Sequence, residues 1–322
     1  MTAEVTVIIP THNRRVLLKR TLHSVLAQRD VDLVVVVVDD GGSDATGAAV
    51  AELGDSRVSV VRHGRSRGVA AARNTGIEQA MTPWLAFLDD DDLWAPLKLR
   101  AQLDALSADP GTGWCCTGSV NIDLQCRVTR CDEPPPVADV GDLLLRQNMI
   151  PGGGSGVLVS RELTREVGGF DEVLSNIADW DFYVRLGLRS RLATVRRPHL
   201  GYLVHPQGMA HNVEKSVREY GYIDVKYAAE RQRRGVALNE QEWTAYLAGL
   251  AYKGGQRWTG MRLHAELVTK HRHWRSLRSI GLGLSPERVR LARLRRPDPA
   301  LPQGWAEEAD GWLTPYRHGW LE

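Results

Sequence analysis

The sequence predicts an α/β fold with a mostly parallel, doubly wound central sheet. Along the first part of the chain, apolar segments of strand length alternate with helical segments, which is the pattern of a parallel sheet. Polar residues directly follow three of these strands. The carboxyl ends of parallel strands lie at one edge of a sheet, where open α/β folds bind ligands. After the last of the three strands the polar residues are four consecutive aspartates, residues 89–92.

The strands follow from local composition. Residues 5–9 are valine, threonine and isoleucine and stop at Pro10, which cannot donate a hydrogen bond within a central strand. Residues 33–38 are one leucine and five valines, a composition that is apolar on both faces and typical of a buried parallel strand. Residues 57–61 and 84–88 are predicted as the third and fourth strands, and the fourth runs directly into the aspartates.

Helices are expected between the strands. Four apolar residues at helical spacing within 18–26 predict the first helix, and residues 68–80 predict the next long one. A short alanine-rich helix is expected after Asp44. Beyond the aspartates, residues 113–123 predict a hairpin and residues 157–159 a further strand.

The distribution of charge divides the chain into two parts. Residues 1–212 carry 22 Lys and Arg against 26 Asp and Glu, whereas residues 213–322 carry 19 against 13 and six of the ten tryptophans. We therefore predict an α/β domain over residues 1–212 and a helical, basic, tryptophan-rich region over residues 213–322. Basic clusters at 270–275 and 288–296 are compatible with an anionic acceptor, a membrane surface, nucleic acid or a solvated helix face.

The sequence predicts a cytoplasmic protein. No apolar run approaches the ~18–20 residues that span a bilayer, and the first residues lack the basic and apolar parts of a signal peptide. We expect no transmembrane segment and no nucleic-acid partner, and the basic region is compatible with peripheral contact at the inner face of the membrane. The four cysteines contain no CxxC pair and are expected to be reduced. The oligomeric state is not indicated.

The four aspartates predict a metal site. Adjacent carboxylates repel one another unless something neutralises them. Carboxylate oxygens suit Mg²⁺ or Mn²⁺, and such an ion is often shared between one or two carboxylates and a substrate phosphate. On an extended chain, Asp89 and Asp91 would face the same side. Capping of the next helix would account for one aspartate but not for four.

Six short motifs, in order, resemble those of the family 2 glycosyltransferases. They are VIIPTHNR at 7–14, VDDGGS at 38–43, ARNTGI at 72–77, FLDDDD at 87–92, GGFDE at 168–172 and DWD at 179–181. The resemblance covers about residues 4–212 and depends on the order and spacing of the motifs. It implies the GT-A fold and an inverting, metal-dependent transfer of a sugar from a nucleoside diphosphate-sugar to a hydroxyl acceptor. A UDP-sugar is the favoured donor and Mn²⁺ or Mg²⁺ the expected cofactor.

The resemblance also implies a donor site. Asp39 would accept hydrogen bonds from the base, Thr11 would line the base and ribose pocket, and Arg73 would lie near the nucleotide or its diphosphate. A bidentate cation such as arginine suits that position. The other donor-binding candidates within the matched motifs are Pro10, Asn13, Arg14 and Asp90.

Metal ligands are implied in the same way. Asp91 is the first choice for direct contact with the metal, Asp89 would bind the ribose or the metal, and Asp92 would assist. The family often places a histidine near the diphosphate or metal after the last core strand. His205 fits that position by its pattern, and His211 is the alternative.

The resemblance further implies a general base. The family has a Glu-Asp pair whose aspartate takes the proton of the acceptor, and this chain has Ala178-Asp179 instead. Asp179 is therefore the expected base, and the missing glutamate changes how the acceptor is oriented. Asp181 is the alternative base, and a helix cap is the structural alternative for Asp179.

A glycine-rich loop precedes the predicted strand at 157–159. Residues 152–154 are three adjacent glycines, which let the backbone approach a ligand closely and let its amides bind oxyanions. Gly153 is the candidate for contact with the sugar nucleotide. A flexible loop without a ligand is the alternative.

Two other functions compete with a single-sugar transferase. A sugar-phosphate nucleotidyltransferase would need a glycine-rich, basic triphosphate loop after the first strand, and none is present. A carbohydrate-binding protein with a decayed site would not need to retain Asp39, Asp89, Asp91 and Asp179. A processive polysaccharide synthase is not expected, because residues 256–258 are QRW and not the spaced QxxRW motif of processive synthases.

Overall fold

The computed structural model of the protein describes residues 3–205, 212–285 and 304–317, which fall into two compact units. The first unit comprises residues 3–144, 149–203 and 304–317. The second comprises residues 145–148, 204–205 and 212–285. The chain therefore leaves the first unit after residue 203, and residues 304–317 belong to the first unit again.

The described part of the first unit contains one mixed sheet of nine strands. The strands are Val5–Thr11 (β1), Leu33–Asp39 (β2), Val58–Arg62 (β3), Trp84–Phe87 (β4), Leu93–Trp94 (β5), Thr112–Ile122 (β6), Val128–Asp132 (β7), Val157–Ser160 (β8) and Arg191–Leu203 (β9). Their order is β3-β2-β1-β4-β8-β6-β9-β5, and β7 pairs with β6 as the predicted hairpin.

The parallel part of this sheet confirms the predicted edge. Strands β3, β2, β1 and β4 are mutually parallel, and Thr11 at the end of β1 lies opposite Asp39 at the end of β2. The N–H of Leu88 donates to the carbonyl of Ile8, so Asp89 leaves the sheet beside the end of β1. The polar residues after three strands therefore meet at one edge, as expected for parallel strands.

Helices connect these strands. In the first unit they are Arg15–Leu26 (α1), Thr46–Ala51 (α2), Val69–Gln79 (α3), Lys98–Ala108 (α4), Val140–Arg146 (α5, whose last two residues belong to the second unit), Arg161–Glu166 (α6) and Ala178–Gly187 (α7). In the second unit they are Val213–Arg234 (α8), Glu240–Lys253 (α9), Arg257–His271 (α10) and Ser276–Gly283 (α11), and the helix Trp305–Leu313 (α12) belongs again to the first unit.

The aspartates lie directly above the main hydrophobic core. Residues of β1, β2 and β4 bury their side chains completely against α1 and α4, and Leu88 and Trp94 on either side of the aspartates belong to the same cluster. A rigid, close-packed core therefore fixes both ends of the segment 89–92.

The position of α12 differs from the predicted domain division. The boundary at residue 212 assigned this helix to the C-terminal region, but α12 packs on the sheet unit. Leu313 and Tyr316 are buried in one cluster with Val120 and Leu203, and the indole Nε1 of Trp312 donates to the carbonyl of Pro198 at 3.2 Å. Apolar residues on one face of α12 cover the part of the sheet formed by β6 and β9.

The second unit is helical, as predicted for most of the C-terminal region. Asn212 and Asn239 cap α8 and α9 by accepting hydrogen bonds from the N–H groups of Lys215 and Glu242. Trp243 stacks on Tyr220 with 5.1 Å between ring centroids. Across the described residues, no helix combines the length and the apolar composition that crossing a bilayer requires.

Candidate active site

The four aspartates do not continue the extended chain of β4. The N–H of Asp92 donates to the carbonyl of Asp89 at 3.2 Å, which closes a turn over residues 89–92. The expectation that Asp89 and Asp91 face the same side of an extended chain is therefore wrong. The turn points the carboxylates into different surroundings, and this separation lowers their mutual repulsion.

Asp90 and Asp91 share one guanidinium group. Nη1 of Arg14 donates to Oδ1 of Asp90 at 3.1 Å and to Oδ2 of Asp91 at 2.9 Å. The hydroxyl of Thr11 donates to the other oxygen of Asp90 at 2.7 Å. Burial, followed by the negative charge of Asp91, raises the pKa of Asp90 to about 7. The Arg14 charge therefore neutralises this pair only in part.

Asp92 has a structural role in the sheet unit. Its carboxylate is completely buried and accepts hydrogen bonds from the N–H of Leu203 at 2.8 Å and from the hydroxyl of Ser155 at 2.5 Å. Burial raises the pKa of Asp92 well above its ordinary value. Asp92 therefore joins the end of β9 and the glycine-rich loop to the turn. Because both of its oxygens accept hydrogen bonds within the protein, the structure does not favour Asp92 as an additional residue at the metal.

Arg73 brings the glycine-rich loop next to Asp89. Its Nη2 donates to Oδ1 of Asp89 at 2.5 Å, and its guanidinium lies 5.1 Å from the ring centroid of Phe170. A Cβ atom on Gly154 would lie 2.4 Å from the same Nη2, so only glycine leaves room for the guanidinium. The Arg73 side chain is almost completely buried, and its Nε has no hydrogen-bond partner among the residues that the structure describes.

Asp179 lies on the other side of the glycine-rich loop. A Cβ atom on Gly153 would lie 3.5 Å from Oδ2 of Asp179, and the hydroxyl of Tyr183 donates to the carbonyl of Gly153 at 2.6 Å. Burial raises the pKa of Asp179 to about 6, against the opposing effect of the Arg73 charge. Asp179 is thus a carboxylate that can exchange a proton near neutral pH.

Asp181, the alternative base, is placed differently. It is completely buried, and one of its oxygens accepts hydrogen bonds from Nε and Nη2 of Arg185 at 3.0 and 2.7 Å. These contacts make Asp181 part of the packing of α7. Of the two aspartates, Asp179 therefore remains the better candidate for proton transfer.

The loop after β2 is held by its own hydrogen bonds. Oδ1 of Asp39 accepts from the N–H of Gly42 at 2.8 Å, and Oδ1 of Asn13 accepts from the N–H of Ser43 at 2.6 Å. Asp40 accepts from the hydroxyl of Ser66 and from two backbone N–H groups at the start of α3. The predicted base-binding residue Asp39, at the end of β2 and opposite Thr11, is therefore held by a hydrogen bond from the loop that follows it.

The two candidate histidines differ in how far the structure describes them. His205 is buried and belongs to the second unit, so its role at the metal stays a prediction. His211 lies outside the described residues.

The carboxylate turn fits a divalent cation. Two guanidinium groups contact three of the four carboxylates of the turn: Arg14 contacts Asp90 and Asp91, and Arg73 contacts Asp89. Among the described residues no three Asp, Glu, His or Cys side chains converge as ligands. The chain would therefore supply one or two carboxylate oxygens and leave the other positions to a phosphate and water, as Mg²⁺ and Mn²⁺ sites often do.

A change in charge at Asp90 gives a test of this electrostatic arrangement. Because the folded pKa of about 7 lies above the ordinary value of 3.8, Asp90 contributes stability fully below the lower value and loses it as the pH rises through the higher one. Without metal, Asp90→Asn should raise Tm by roughly 3 °C or more at pH 8 and by much less at pH 5. The measurement is thermal unfolding in a chelator at both pH values.

The exposed carboxylate of Asp104, which pairs with Arg100 on α4, provides the control for this test. Asp104→Asn removes the same charge and should change Tm little at either pH. An equal response of both variants would mean that the general charge of the protein, not the carboxylate turn, sets the effect.

Sequence analysis missed two residues that shape this site. Ser155 accepts from the N–H of Asp89 and donates to Asp92, although it belonged to the glycine-rich segment already noted. Tyr183 positions the carbonyl of Gly153 from the same face of α7 as Asp179. The spacing of four residues between Asp179 and Tyr183 is a signal that could have indicated the second of them.

Comparison with known proteins identifies the family. A family model described as glycosyl transferase family 2 matches residues 6–167, which is half of the chain. The chain belongs to glycosyltransferase family 2. The predicted resemblance is therefore confirmed, and the matched range contains the carboxylate turn, Arg73 and the glycine-rich loop.

Curated relatives in this family match parts of the chain. The succinoglycan biosynthesis protein ExoO of Rhizobium meliloti is 41% identical over 105 residues, which cover 33% of this chain and 30% of ExoO. The UDP-Glc:alpha-D-GlcNAc-diphosphoundecaprenol beta-1,3-glucosyltransferase WfgD of Escherichia coli is 35% identical over 102 residues, which cover 32% of this chain and 40% of WfgD. The chain thus spans less than half the length of these two curated relatives.

Solved structures of glycosyltransferases share the fold. TarS of S. aureus in complex with UDP aligns with a TM-score of 0.52 and 16% identity over 91% of this chain and 90% of the TarS chain. The mannosyltransferase PcManGT of Pyrobaculum calidifontis in complex with GDP-Man and Mn²⁺ aligns with a TM-score of 0.56 and 21% identity, covering 97% and 87% of the two chains. The family 2 chain therefore has the GT-A fold, as predicted.

Proposed function

We propose that this protein is a metal-dependent, inverting glycosyltransferase that moves one sugar from a nucleoside diphosphate-sugar to a hydroxyl group of an acceptor. A UDP-sugar is the favoured donor. Family membership and the carboxylate turn at the end of β4 support the reaction class. The relative WfgD is named for UDP-Glc, and the structure of TarS is a complex with UDP. Both support the choice of nucleotide.

One observation carries this proposal more than any other. Arg73 contacts Asp89 directly and lies against Gly154, and Asp179 lies against the adjacent Gly153. The residues expected to bind the donor and the residue expected to activate the acceptor therefore border the same small region. A transfer reaction needs the two substrates to meet in this way.

The donor would bind along the edge formed by β1, β2 and β4. Asp39 would recognise the base, and Arg73 and Arg14 would face the diphosphate with their cationic groups. The further donor-binding residues in this proposal are Pro10, Thr11, Asn13, Asp89, Asp90 and Gly153.

Asp179 would act as the general base. Its carboxylate takes the proton of the acceptor hydroxyl as the oxygen attacks the anomeric carbon from the side opposite the leaving diphosphate. Arg73 favours the ionised form of Asp179, while burial keeps the pKa of this carboxylate high enough for proton transfer near neutral pH. In-line attack without a covalent enzyme intermediate inverts the anomeric centre.

Asp91 and Asp89 would hold the Mn²⁺ or Mg²⁺ ion, with His205 as the remaining predicted ligand. When bound, the ion supplies positive charge to the diphosphate that leaves. Arg14 contacts Asp91 in this structure and would supply further charge at the same place.

The acceptor class is proposed more broadly. A glycan, a lipid-linked sugar or a small molecule with a free hydroxyl group would each suit a base at Asp179. The relative WfgD is named for a diphosphoundecaprenol-linked substrate, which supports a lipid-linked acceptor and a cytoplasmic protein in peripheral contact with the membrane.

The first test is a thermal-shift panel with UDP, GDP, dTDP and CDP, each with and without Mn²⁺. A ligand that binds only the native state stabilises it by mass action and so raises Tm. At a ligand concentration of one hundred times Kd, the free energy of unfolding rises by ~2.7 kcal/mol. We expect a metal-dependent shift with UDP that is much smaller with the other three. If none of the four nucleoside diphosphates shifts Tm but nucleoside triphosphates do, the transferase is contradicted. If no nucleotide of either kind shifts Tm, the donor site is contradicted.

A further inference from the structure

A basic and apolar surface runs from the end of α10 through α11 in the second unit. Residues 270–284 contain Lys270 and three arginines, and no aspartate or glutamate occurs from residue 267 to residue 285. The same segment contains a tryptophan and several aliphatic residues. We call this segment the 270–284 surface.

The apolar side chains of the 270–284 surface point into solvent. Trp274 is 64% exposed, Leu277 53% and Leu284 69%. Leu277 lies in the first turn of α11, and Leu284 directly follows the last residue of that helix. Ser276 and Gly283, at the two ends of α11, are buried and pack against α10. The helix therefore packs through small residues at its two ends and leaves apolar side chains exposed to solvent.

The arginines that surround these side chains lack acidic partners. Arg272, Arg275 and Arg278 are exposed, and among the described residues none of them forms an ion pair. Lys270 of the same segment differs from them, because it pairs with Glu240. The exposed tryptophan and leucines therefore lie in a segment with three arginines that no described acidic side chain neutralises.

We propose that the 270–284 surface binds an anionic lipid bilayer. Arginines near a membrane are attracted to acidic headgroups, tryptophan settles at the interface between headgroups and acyl chains, and leucines enter the apolar boundary. A polyanion such as nucleic acid would engage the arginines but leave Leu277 and Leu284 in water. The bilayer is the partner that satisfies both parts of the surface.

This inference names the surface for the membrane contact included in the proposed function, but it does not depend on the transfer reaction. It concerns contacts within the second unit, and binding to vesicles is measured without donor, acceptor or metal. Failure of the transferase assay would leave it standing, and failure of vesicle binding would leave the transferase standing.

The experiment is flotation of the full chain with vesicles of phosphatidylcholine alone or with about 30% phosphatidylglycerol. One variant combines Arg272→Gln, Arg275→Gln and Arg278→Gln, and the other combines Trp274→Ser and Leu277→Ser. Each arginine near an anionic surface contributes roughly a fivefold change in partitioning at low salt, so we expect a loss of about a hundredfold for the triple variant. The double variant should lose at least about tenfold.

Matched controls are available on the same chain. Trp258 is also 64% exposed but lies at the start of α10, where Arg257 stacks on it. Trp258→Ser removes an equally exposed tryptophan. Arg127→Gln, Arg189→Gln and Arg191→Gln together remove the same charge from exposed positions of the first unit. A triple Arg→Lys variant of the 270–284 surface keeps the charge and should keep binding.

The outcomes separate clearly. Binding of the wild type to anionic but not neutral vesicles, lost in both surface variants and kept in the controls, supports the proposal. It is overturned if the wild type does not float with anionic vesicles, or if the controls lose as much binding as the surface variants. Unchanged thermal unfolding of each variant shows that the change acts at the surface, not on folding.

Discussion

Asp179→Asn should lower kcat by about 10²–10⁴-fold while the protein stays folded and binds the donor nucleotide. The amide has nearly the same shape as the carboxylate but cannot accept the proton of the acceptor hydroxyl. Its oxygen can still accept the hydrogen bond that the N–H of Trp180 donates to Asp179 at 2.9 Å. The measurement is the rate of sugar transfer together with the thermal shift produced by the donor nucleotide.

The pH dependence of the wild type gives an independent check on the same residue. A base works in its ionised form, and burial raises the pKa of Asp179 to about 6. The value of kcat/KM should therefore fall as the pH drops below about 6, approaching tenfold per pH unit. In Asp179→Asn this decline should disappear from the residual activity.

Asp181→Asn is the matched control two residues away. Asp181 is buried and paired with Arg185, so breaking the pair should cost stability. The cost should lie below the about 3–5 kcal/mol of a fully buried pair, because Arg185 remains 19% exposed. The folded fraction should keep its kcat. The reverse result, in which Asp181→Asn removes kcat and Asp179→Asn does not, would assign the base to Asp181.

Asp91→Asn should lower activity by about 10²–10³-fold or more and abolish the Mn²⁺-dependent part of the thermal shift with UDP. Asp91 is mostly buried, with 12% of its side chain exposed, and its carboxylate contacts Arg14. The substitution removes one negative charge from the proposed metal site. Transfer rates and thermal shifts at several Mn²⁺ concentrations would measure the effect.

The neighbouring Asp92 provides the contrast for this test. Asp92→Ala leaves the N–H of Leu203 and the hydroxyl of Ser155 without their buried acceptor, and this should cost about 2–5 kcal/mol of stability. At a temperature where the variant is folded, its metal-dependent shift should persist. If Asp92→Ala lost the shift and Asp91→Asn kept it, the metal ligand would be Asp92.

The sequence was sufficient for the architecture around the site. Five valines in β2 and the apolar run before Asp89 determined which strands are buried, and alternation with helices determined that they are parallel. The family motifs then located Asp39, Arg73 and Asp179 in order along the chain. Such information is local, and local patterns are what a sequence displays directly.

Other features depend on contacts between distant segments. The turn at 89–92 exists because Asp92 is bound by Leu203, which is 111 positions away, and no periodicity in the sequence records that contact. Arg14 joins Asp90 to Asp91, and Gly154 makes room for Arg73, through the same kind of long-range packing. The predicted division assigned α12 to the C-terminal region for the same reason. The partners of α12 on β6 and β9 precede it by more than a hundred residues.

The return of the chain to the sheet at α12 has a consequence for how the protein is made. The second unit is inserted into the first, and the thiol of Cys126 meets the carbonyl of Tyr316 across 190 positions of sequence. During synthesis, residues leave the ribosome in order, so the strands β6 and β9 emerge long before the helix that covers them. The core is therefore partly open at Val120, Ile122 and Leu203 until α12 has been translated. The sheet unit can complete its fold only after that.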